Sequence, residues 1–301
     1  MRIGVLHARI RLEEKLLFEE LASRGVDVLR INVERLPLSL DAGEAPEPFA
    51  GLDAVLERCI SHSRAGAALR VLDRWGIAAV NPWHVAEVCG DKLATNLALS
   101  GAAVPVPRAR VAFTPEAALE AIEELGYPAV LKPAVGSWGR LIARVQDRES
   151  AQALLEHKAT LGSYHHSVFY VQEHIDKPGR DLRVFVAGDE CLCAIARHSE
   201  HWITNTAQGA TVTGYPLDDE LRQISLAAAR AVGGGVLAVD LFETPNGYLV
   251  NEVNYTMEFR NSCEPTGVDI PARIVDYLLE VAEGRALGGE PLGVECAGGA
   301  L

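Results

Sequence analysis

Residues 249–259 read "LVNEVNYTMEF". Leu249 and Val250 open the run as a buried strand, and Asn251, Glu252 and Asn254 then take positions where more apolar side chains are due. Side chains two apart on a strand share a face, so Glu252 and Asn254 point the same way. The preceding apolar run, "GVLAVDLFE" (235–243), carries Asp240. In the intervening "TPNG" (244–247), Pro245 and Asn246 suit a type I turn and Gly247 suits the left-handed residue of a three-residue hairpin loop. That loop pairs Thr244 with Tyr248, and counting back in register sets Asp240 opposite Glu252. The hairpin therefore gathers two carboxylates and an amide on one patch. Such oxygen donors suit Mg²⁺, which takes one or two carboxylates and completes its shell with water and nucleotide phosphate. A calcium site, or a hydrogen-bonded polar patch at a strand end, accounts for the same spacing.

A magnesium–nucleotide site also needs cations for phosphate. Lys92 lies in "CGDKLATN" (89–96), and Lys132 ends the strand "YPAVLKP" (127–133) just before "AVGSWGR" (134–140). Gly136 and Gly139 would let backbone N–H groups approach phosphate oxygens. The loop is not a Walker motif, because G-x-x-x-x-G-K-[ST] is absent. Taken singly, either lysine reads as a surface residue; the order lysine, lysine with glycine loop, aspartate, Glu-x-Asn is more specific than its parts.

The chain around these motifs alternates strand and helix. Residues 1–86 form a small open α/β domain with a mostly parallel sheet: strands "RIGVLHA", "VDVLRINV" and one led by "GLDAVLERC", with helices "LEEKLLFEELASRG" and "SRAGAALRVLDRWG". Residues 87–171 change character. "HVAEVCGDKLATNLALSGA" is a helix broken around Gly90. "TPEAALEAIEELG" is a helix capped by Thr114 with Pro115 at its first position. The strand–glycine turn–strand unit completes an α+β subdomain with its glycine loop. Residues 172–285 hold the thicker strands, the helix "DDELRQISLAAARAVG", the carboxylate hairpin and the helix "IPARIVDYLLEVAEG". The Gly/Ala-rich segment 286–301 reads as a disordered tail.

Composition narrows the function. Of 301 residues, 49% are hydrophobic and 23% charged, as in an ordinary globular protein. No apolar run reaches the ~20 residues of a membrane span. A net charge of −13, from 28 basic and 41 acidic residues, argues against nucleic acid as the main partner. The six cysteines show no C-x-x-C pair and read as reduced thiols of a cytoplasmic protein. Arg58, Arg64, Arg70 and Arg74 crowd one early segment, as either a local basic patch or a solvated helix face.

The ordered set Lys92, Lys132, Asp240, Glu252 and Asn254 resembles the ATP-grasp ligases over residues 1 to about 283. The segments "ERCISHSR", "VLKPAVGSWGRL", "QEHIDKPGRDLRVFV", "HWITNTA", "NEVN", "TMEF" and "TGVDIP" resemble the LysX-type ligases of carrier-protein lysine biosynthesis, with the RimK glutamate ligases as more distant relatives. The resemblance implies an ATP-grasp fold: the N-terminal α/β domain plus two α+β subdomains clasping ATP. It implies that Lys92, Lys132 and the loop Gly136, Ser137, Trp138, Gly139 hold phosphates, and that Gln172, Glu173 and Ile175 form the adenine hinge with Asp181 nearby. It implies that Asp240, Glu252 and Asn254 hold two Mg²⁺ ions. Asn205, Arg183 and Arg197 would lie beside the γ-phosphate and the reacting carboxyl.

The activity implied is ATP-dependent amide formation through an acyl phosphate. It would join the C-terminal glutamate γ-carboxylate of an acidic LysW-like carrier protein to the α-amino group of α-aminoadipate. Glutamate or an analogue on the same carrier, or RimK-like ligation of another protein or small acid, are the alternatives. A homodimer or homotetramer is also implied. Arg9, Arg58, Ser61, Thr206, Ala207, Tyr255 and Thr256 are the candidate contacts for carrier or amino acid. Tyr255 stands where the LysX pattern has histidine, and Gln208 and Ala210 replace an arginine and a glycine, which leaves the amino-acid specificity open. One geometric conflict stands out. If "VAGDEC" (186–191) is a tight two-residue hairpin, regular pairing puts Arg183 and Arg197 on opposite faces, so a bulge or a longer loop is needed.

Overall fold

The computed structural model describes residues 1–41, 43–135, 141–161, 168–204 and 209–286. Its first sheet is wholly parallel, in the order β2-β1-β3-β4, from β1 (Arg2–His7), β2 (Asp27–Asn32), β3 (Ala54–Glu57) and β4 (Ala79–Val80). Helices α1 (Leu12–Ser23) and α2 (His62–Arg74) connect the strands. The next helical stretch breaks into α3 (Trp83–Gly90) and α4 (Lys92–Gly101). The break lies at Asp91, whose carboxylate caps α4 by accepting from the Leu93 N–H at 2.7 Å.

The central sheet is antiparallel, β5-β8-β6-β7, built from β5 (Ala109–Ala112), β6 (Ala129–Lys132), β7 (Ala143–Val145) and β8 (Phe169–Glu173). It is backed by α5 (Pro115–Leu125) and α6 (Arg148–Leu161). Thr114 caps α5, accepting from the Ala117 N–H at 3.2 Å.

The third sheet, β11-β10-β9-β12-β13, is antiparallel and comprises β9 (Arg180–Ala187), β10 (Glu190–His198), β11 (Thr211–Tyr215), β12 (Val236–Thr244) and β13 (Gly247–Asn254). Sequence reading had not anticipated β11, although "TVTGY" is rich in β-formers. Helices α7 (Asp219–Ala231), α8 (Cys263–Thr266) and α9 (Ile270–Ala282) complete the chain. No helix among the described residues is long and apolar enough to cross a membrane. The predicted tail lies outside the described residues beyond Ala286.

The two faces of the third sheet do different work. Leu182, Val184, Leu237, Val239 and Leu241 pack on one side with Leu221, Ala228 and Val232 of the α7 region. On the other side Phe185, Ile195 and Ala238 join a core shared with Ile3, Val5, Leu17 and Leu56 of the first sheet and Ile274 and Leu278 of α9. The apolar positions of α9 recur at helical spacing, and each buried Ile or Leu contributes about 1.5–3 kcal/mol. Asn81 ties the same junction by hydrogen bonds: its Nδ2 donates to the Val236 and Tyr255 carbonyls at 2.7 Å each, and its Oδ1 accepts from the Val236 N–H at 2.7 Å. The N-terminal sheet and the carboxylate hairpin therefore share one core. The predicted boundaries at residues 86 and 171 fall inside α3 and β8.

Two bulges set the orientation of the site. The carboxylate hairpin turns on two residues, with Thr244 opposite Gly247, not Tyr248, and its register then shifts between Asp240 and Leu241. The shorter turn and the extra residue cancel, so Asp240 still faces Glu252. In the β9–β10 hairpin, Ala187 pairs with Glu190 through a two-residue turn, and a shift between Cys191 and Cys193 brings Ile195 opposite Arg183 and Arg197 opposite Asp181. The tight hairpin is real, and the bulge moves Arg197 onto the face of Arg183.

Candidate functional site

Past the apolar part of that shared face, the strands continue with charged side chains. Asp181 and Arg183 are two apart on β9, Asp240 pairs with Arg183, and Arg197 pairs with Asp181. The result is a chain of buried ions. Arg183 grips Asp240 with two bonds, Nε to Oδ1 at 2.6 Å and an amino nitrogen to Oδ2 at 2.8 Å. Arg197 reaches Asp240 Oδ2 at 3.2 Å and donates from Nε to Asp181 Oδ1 at 2.6 Å. Asp181 also accepts from the Thr204 hydroxyl, which in turn accepts from Lys177 Nζ at 2.7 Å. Burial alone would raise the pKa of Asp240, but the two guanidiniums outweigh it and hold the carboxyl well below its ordinary range. Burial pulls Arg197 down, and Asp240 and Asp181 more than reverse that, so it stays charged.

These residues line a cavity of about 250 Å³ between the central and third sheets. Lys92, Lys132, Gln172, Glu173, Ile175, Asp181, Arg183, Arg197, Asp240, Glu252, Asn254, Tyr255 and Thr256 all border it. A bridge between Asp91 and Val135 sets the start of α4 beside the end of β6, and so brings Lys92 near Lys132. Burial lowers the Lys132 pKa to about 8; Glu252 opposes the shift, while Lys92 and Lys177 add to it. Lys132 Nζ donates to Asn251 Oδ1 at 2.8 Å. Regular alternation would turn Asn251 away from Glu252, but the bulge between them brings both into the cavity.

Several expected contacts stand elsewhere. Asp181 borders the cavity with the hinge residues, and its carboxylate is paired with Arg197 and Lys177. The Glu173 carboxylate is taken by Arg108, accepting from its N–H and its Nε at 2.7 Å each, so this side chain is spent on structure although the residue borders the cavity. Arg9 is exposed, and neither it nor Ser61 lines the cavity. Arg58 turns inward, with its Nε on Glu14 at 3.1 Å. Of the two readings of the early arginines, the solvated helix face fits better for Arg64 and Arg70, which pair with Glu34 and Glu87. Gly136, Ser137, Trp138, Gly139, Asn205, Thr206 and Ala207 lie outside the described residues, as does Gln208.

Sequence reasoning had missed four lining or supporting residues. His62 borders the cavity, with Nδ1 3.1 Å from the Tyr255 hydroxyl. A Cβ on Gly90 would fall 1.9 Å from the His62 ring, so any other residue there would displace that ring. Lys177 and Asn251 complete the polar lining. Beneath Tyr255, Thr256 donates to the buried Glu57 at 2.5 Å. Burial pushes Glu57 up to about 7. The only visible signal was proximity: His62 adjoins Ser61, and Glu57 opens "ERCISHSR".

The donor set fits a divalent cation. Asp240 and Glu252 face one another, and Asn254 donates from Nδ2 to Asp240 Oδ2 at 3.3 Å and to Glu252 Oε1 at 3.5 Å, so its Oδ1 is the oxygen it could offer a cation. No group of three or more His, Cys, Asp or Glu among the described residues could hold a metal by itself. The two carboxylates and one amide would therefore share the ion with outside oxygens, as Mg²⁺ shares itself between protein and phosphate.

Residues 89–278 match the family model of the RimK-like ATP-grasp domain, and residues 3–88 that of the LysX preATP-grasp domain. The chain is 34% identical over 285 residues to an alpha-aminoadipate–LysW ligase LysX of Sulfurisphaera tokodaii, covering 94% of this chain and 98% of that one. It is 33% identical over 283 residues to a glutamate–LysW ligase ArgX of the same organism, covering 93% and 99%. Among solved structures, a RimK domain protein ATP-grasp from Sphaerobacter thermophilus superimposes with a TM-score of 0.79 at 31% identity, covering 93% of this chain and all of that one. A D-alanine–D-alanine ligase from Bacillus anthracis, at 18% identity and a TM-score of 0.71 over 94% and 98% of the two chains, shares the fold.

Proposed function

We propose, from the premise that the chain belongs to the RimK-like ATP-grasp family of ligases, that it joins the C-terminal glutamate γ-carboxylate of a LysW-like carrier to the α-amino group of an acidic amino acid. The observation that carries this reading is similarity along nearly the whole chain to LysW ligases of both kinds, with a cleft lined by the matching cations and carboxylates. α-Aminoadipate is the favoured amino acid and glutamate the alternative.

A carboxylate is a poor electrophile. Transfer of the γ-phosphoryl of ATP to the carrier carboxylate gives an acyl phosphate and ADP. The amine, having lost a proton, attacks the acyl carbon; the tetrahedral oxyanion collapses to the amide and expels phosphate. Lys92 and Lys132 hold the polyphosphate, and Lys132 charges fully as it does so. Arg183 and Arg197 stabilise negative charge on the transferring phosphoryl and the oxyanion. Asp240, Glu252 and Asn254 would hold Mg²⁺, two ions on this reading, which would supply charge neutralisation at the phosphates. Gln172 and Ile175 border the adenine end. No protein nucleophile takes part; the Cys59 and Cys89 thiols are pushed far above neutrality by burial.

The test is intact-mass analysis of a LysW-like carrier incubated with the protein, ATP and Mg²⁺, with α-aminoadipate or glutamate. A gain of one aminoadipyl residue supports the favoured reading. A gain with glutamate alone assigns the alternative, and no gain with either refutes both.

A further inference from the structure

Beside the main cleft, over β9, β10 and β11, lies a smaller cavity of about 20 Å³. Ile195 and Val212 supply apolar lining, and Arg183, Arg197, Arg260 and Asn261 supply polar lining. Arg183, Arg197 and Glu258 border both cavities, so the two adjoin. Three guanidiniums thus meet one carboxylate, Glu258, and that carboxylate already holds Arg11 at 2.9 Å. Arg183 and Arg197 are engaged by Asp240 and Asp181. Arg260 is different: its ion-pair partner is Glu13 at a distant 3.9 Å, and its side chain is 48% exposed. Arg260 is thus the least engaged guanidinium on the cavity wall, the one free to turn to an entering anion. The volume is little more than a single water needs, so the cavity admits a head group and not a whole amino acid.

We propose that this side cavity receives the α-carboxylate of the incoming amino acid and that Arg260 is the guanidinium that reads it. The inference rests on the ligase reading above. A planar guanidinium matches a carboxylate with two parallel hydrogen bonds. Connectivity selects the α-carboxylate over the side-chain one. Its carbon is two bonds from the attacking nitrogen, which must sit where Arg183 and Arg197 stabilise the oxyanion, and those two arginines wall this cavity too. The side-chain carboxylate of glutamate is two bonds farther away and that of α-aminoadipate three. Arg260 would therefore serve either amino acid, and the residue that separates them lies elsewhere in the cleft.

The experiment measures carrier-dependent phosphate release for wild type, Arg260→Gln and Arg260→Lys. Each is given the amino acid, its α-decarboxylated analogue (5-aminopentanoate for α-aminoadipate, 4-aminobutyrate for glutamate) and, for glutamate, the side-chain amide glutamine. Wild type should prefer the amino acid over the decarboxylated analogue by about 10- to 100-fold in kcat/KM, the span of a charged hydrogen-bonded pair. Arg260→Gln should erase that preference by raising KM for the amino acid while KM for ATP holds, and Arg260→Lys should keep part of it. Arg260 is half exposed on a loop, and an unchanged Tm confirms that the variants fold. A preference that survives Arg260→Gln overturns the inference and leaves the ligase reading standing. So does a variant that loses selection against glutamine instead. Wild type that releases no phosphate with any amino acid overturns both.

Discussion

Asp240, midway along β12, and Glu57, at the end of β3, are both buried carboxylates, and the protein drives them in opposite directions. Burial raises both. Beside Asp240 stand Arg183 and Arg197, and their charge wins, so the carboxylate is ionised at any ordinary pH. Glu57 has the Cys59 N–H and the Thr256 hydroxyl as close partners; neutral donors reduce the shift without cancelling it, and its pKa settles near 7. One carboxylate is held charged by the arginines that line the cleft. The other, poised near neutrality, ties the N-terminal sheet to the strand that carries the site. Burial alone predicts neither outcome; the charge of the nearest donor decides.

The largest expected effect tests the guanidinium side of this contrast. Arg197→Met leaves Asp181 and Asp240 buried with one cation fewer, and should lower the unfolding free energy in urea by about 3–5 kcal/mol. A loss below about 1 kcal/mol would mean that Arg197 does not compensate those charges.

Glu252 sits opposite Asp240, 3.5 Å from the Asn254 amide, and no guanidinium among the described residues grips its carboxylate as Arg183 grips Asp240. Glu252→Gln should therefore cut single-turnover ligation by at least about 100-fold, as expected for loss of a charge that acts on the transition state. Its Tm should stay close to wild type. Full activity would remove Glu252 from the cation site.

Glu57 gives a pH signature. Its folded pKa, about 7, exceeds the unfolded value near 4.5, so the stability it contributes is complete below the unfolded pKa and is lost as pH rises through about 7. Glu57→Gln should flatten the fall in stability between about pH 5 and 8, a few kcal/mol at most. The Thr256 hydroxyl can turn to accept from the new amide. An unchanged pH profile would show that Glu57 is ionised when folded.

The smallest effect concerns Lys132. Burial favours its neutral form, and polyphosphate favours the cation. ATP affinity measured by calorimetry should fall several-fold as pH rises through about 8. Flat affinity from pH 7 to 9 would place phosphate recognition on other residues.

Much of this was legible in the chain itself. Alternation along "LVNEVN" and the hairpin count set Asp240 against Glu252, although the turn was read one residue too long and a bulge made up the difference. The conflict between Arg183 and Arg197 was legible too, and its resolution was not, because a bulge at "CLC" has no local signature in residues that all favour strand. Lys177, His62 and Glu57 stayed hidden for another reason. Each acts through a neighbour far away in sequence: Thr204, Tyr255 and Thr256, respectively.

The sequence by itself determined most of the elements and the order of the lysines, arginines and carboxylates, because periodicity, caps and motif spacing are local properties; the ATP-grasp family came from the resemblance of those motifs. Only the tertiary structure decided which side chains face the cleft and which arginines are already paired. Those outcomes depend on two bulges and on a core shared between sheets, where one residue of register turns a side chain from one face to the other.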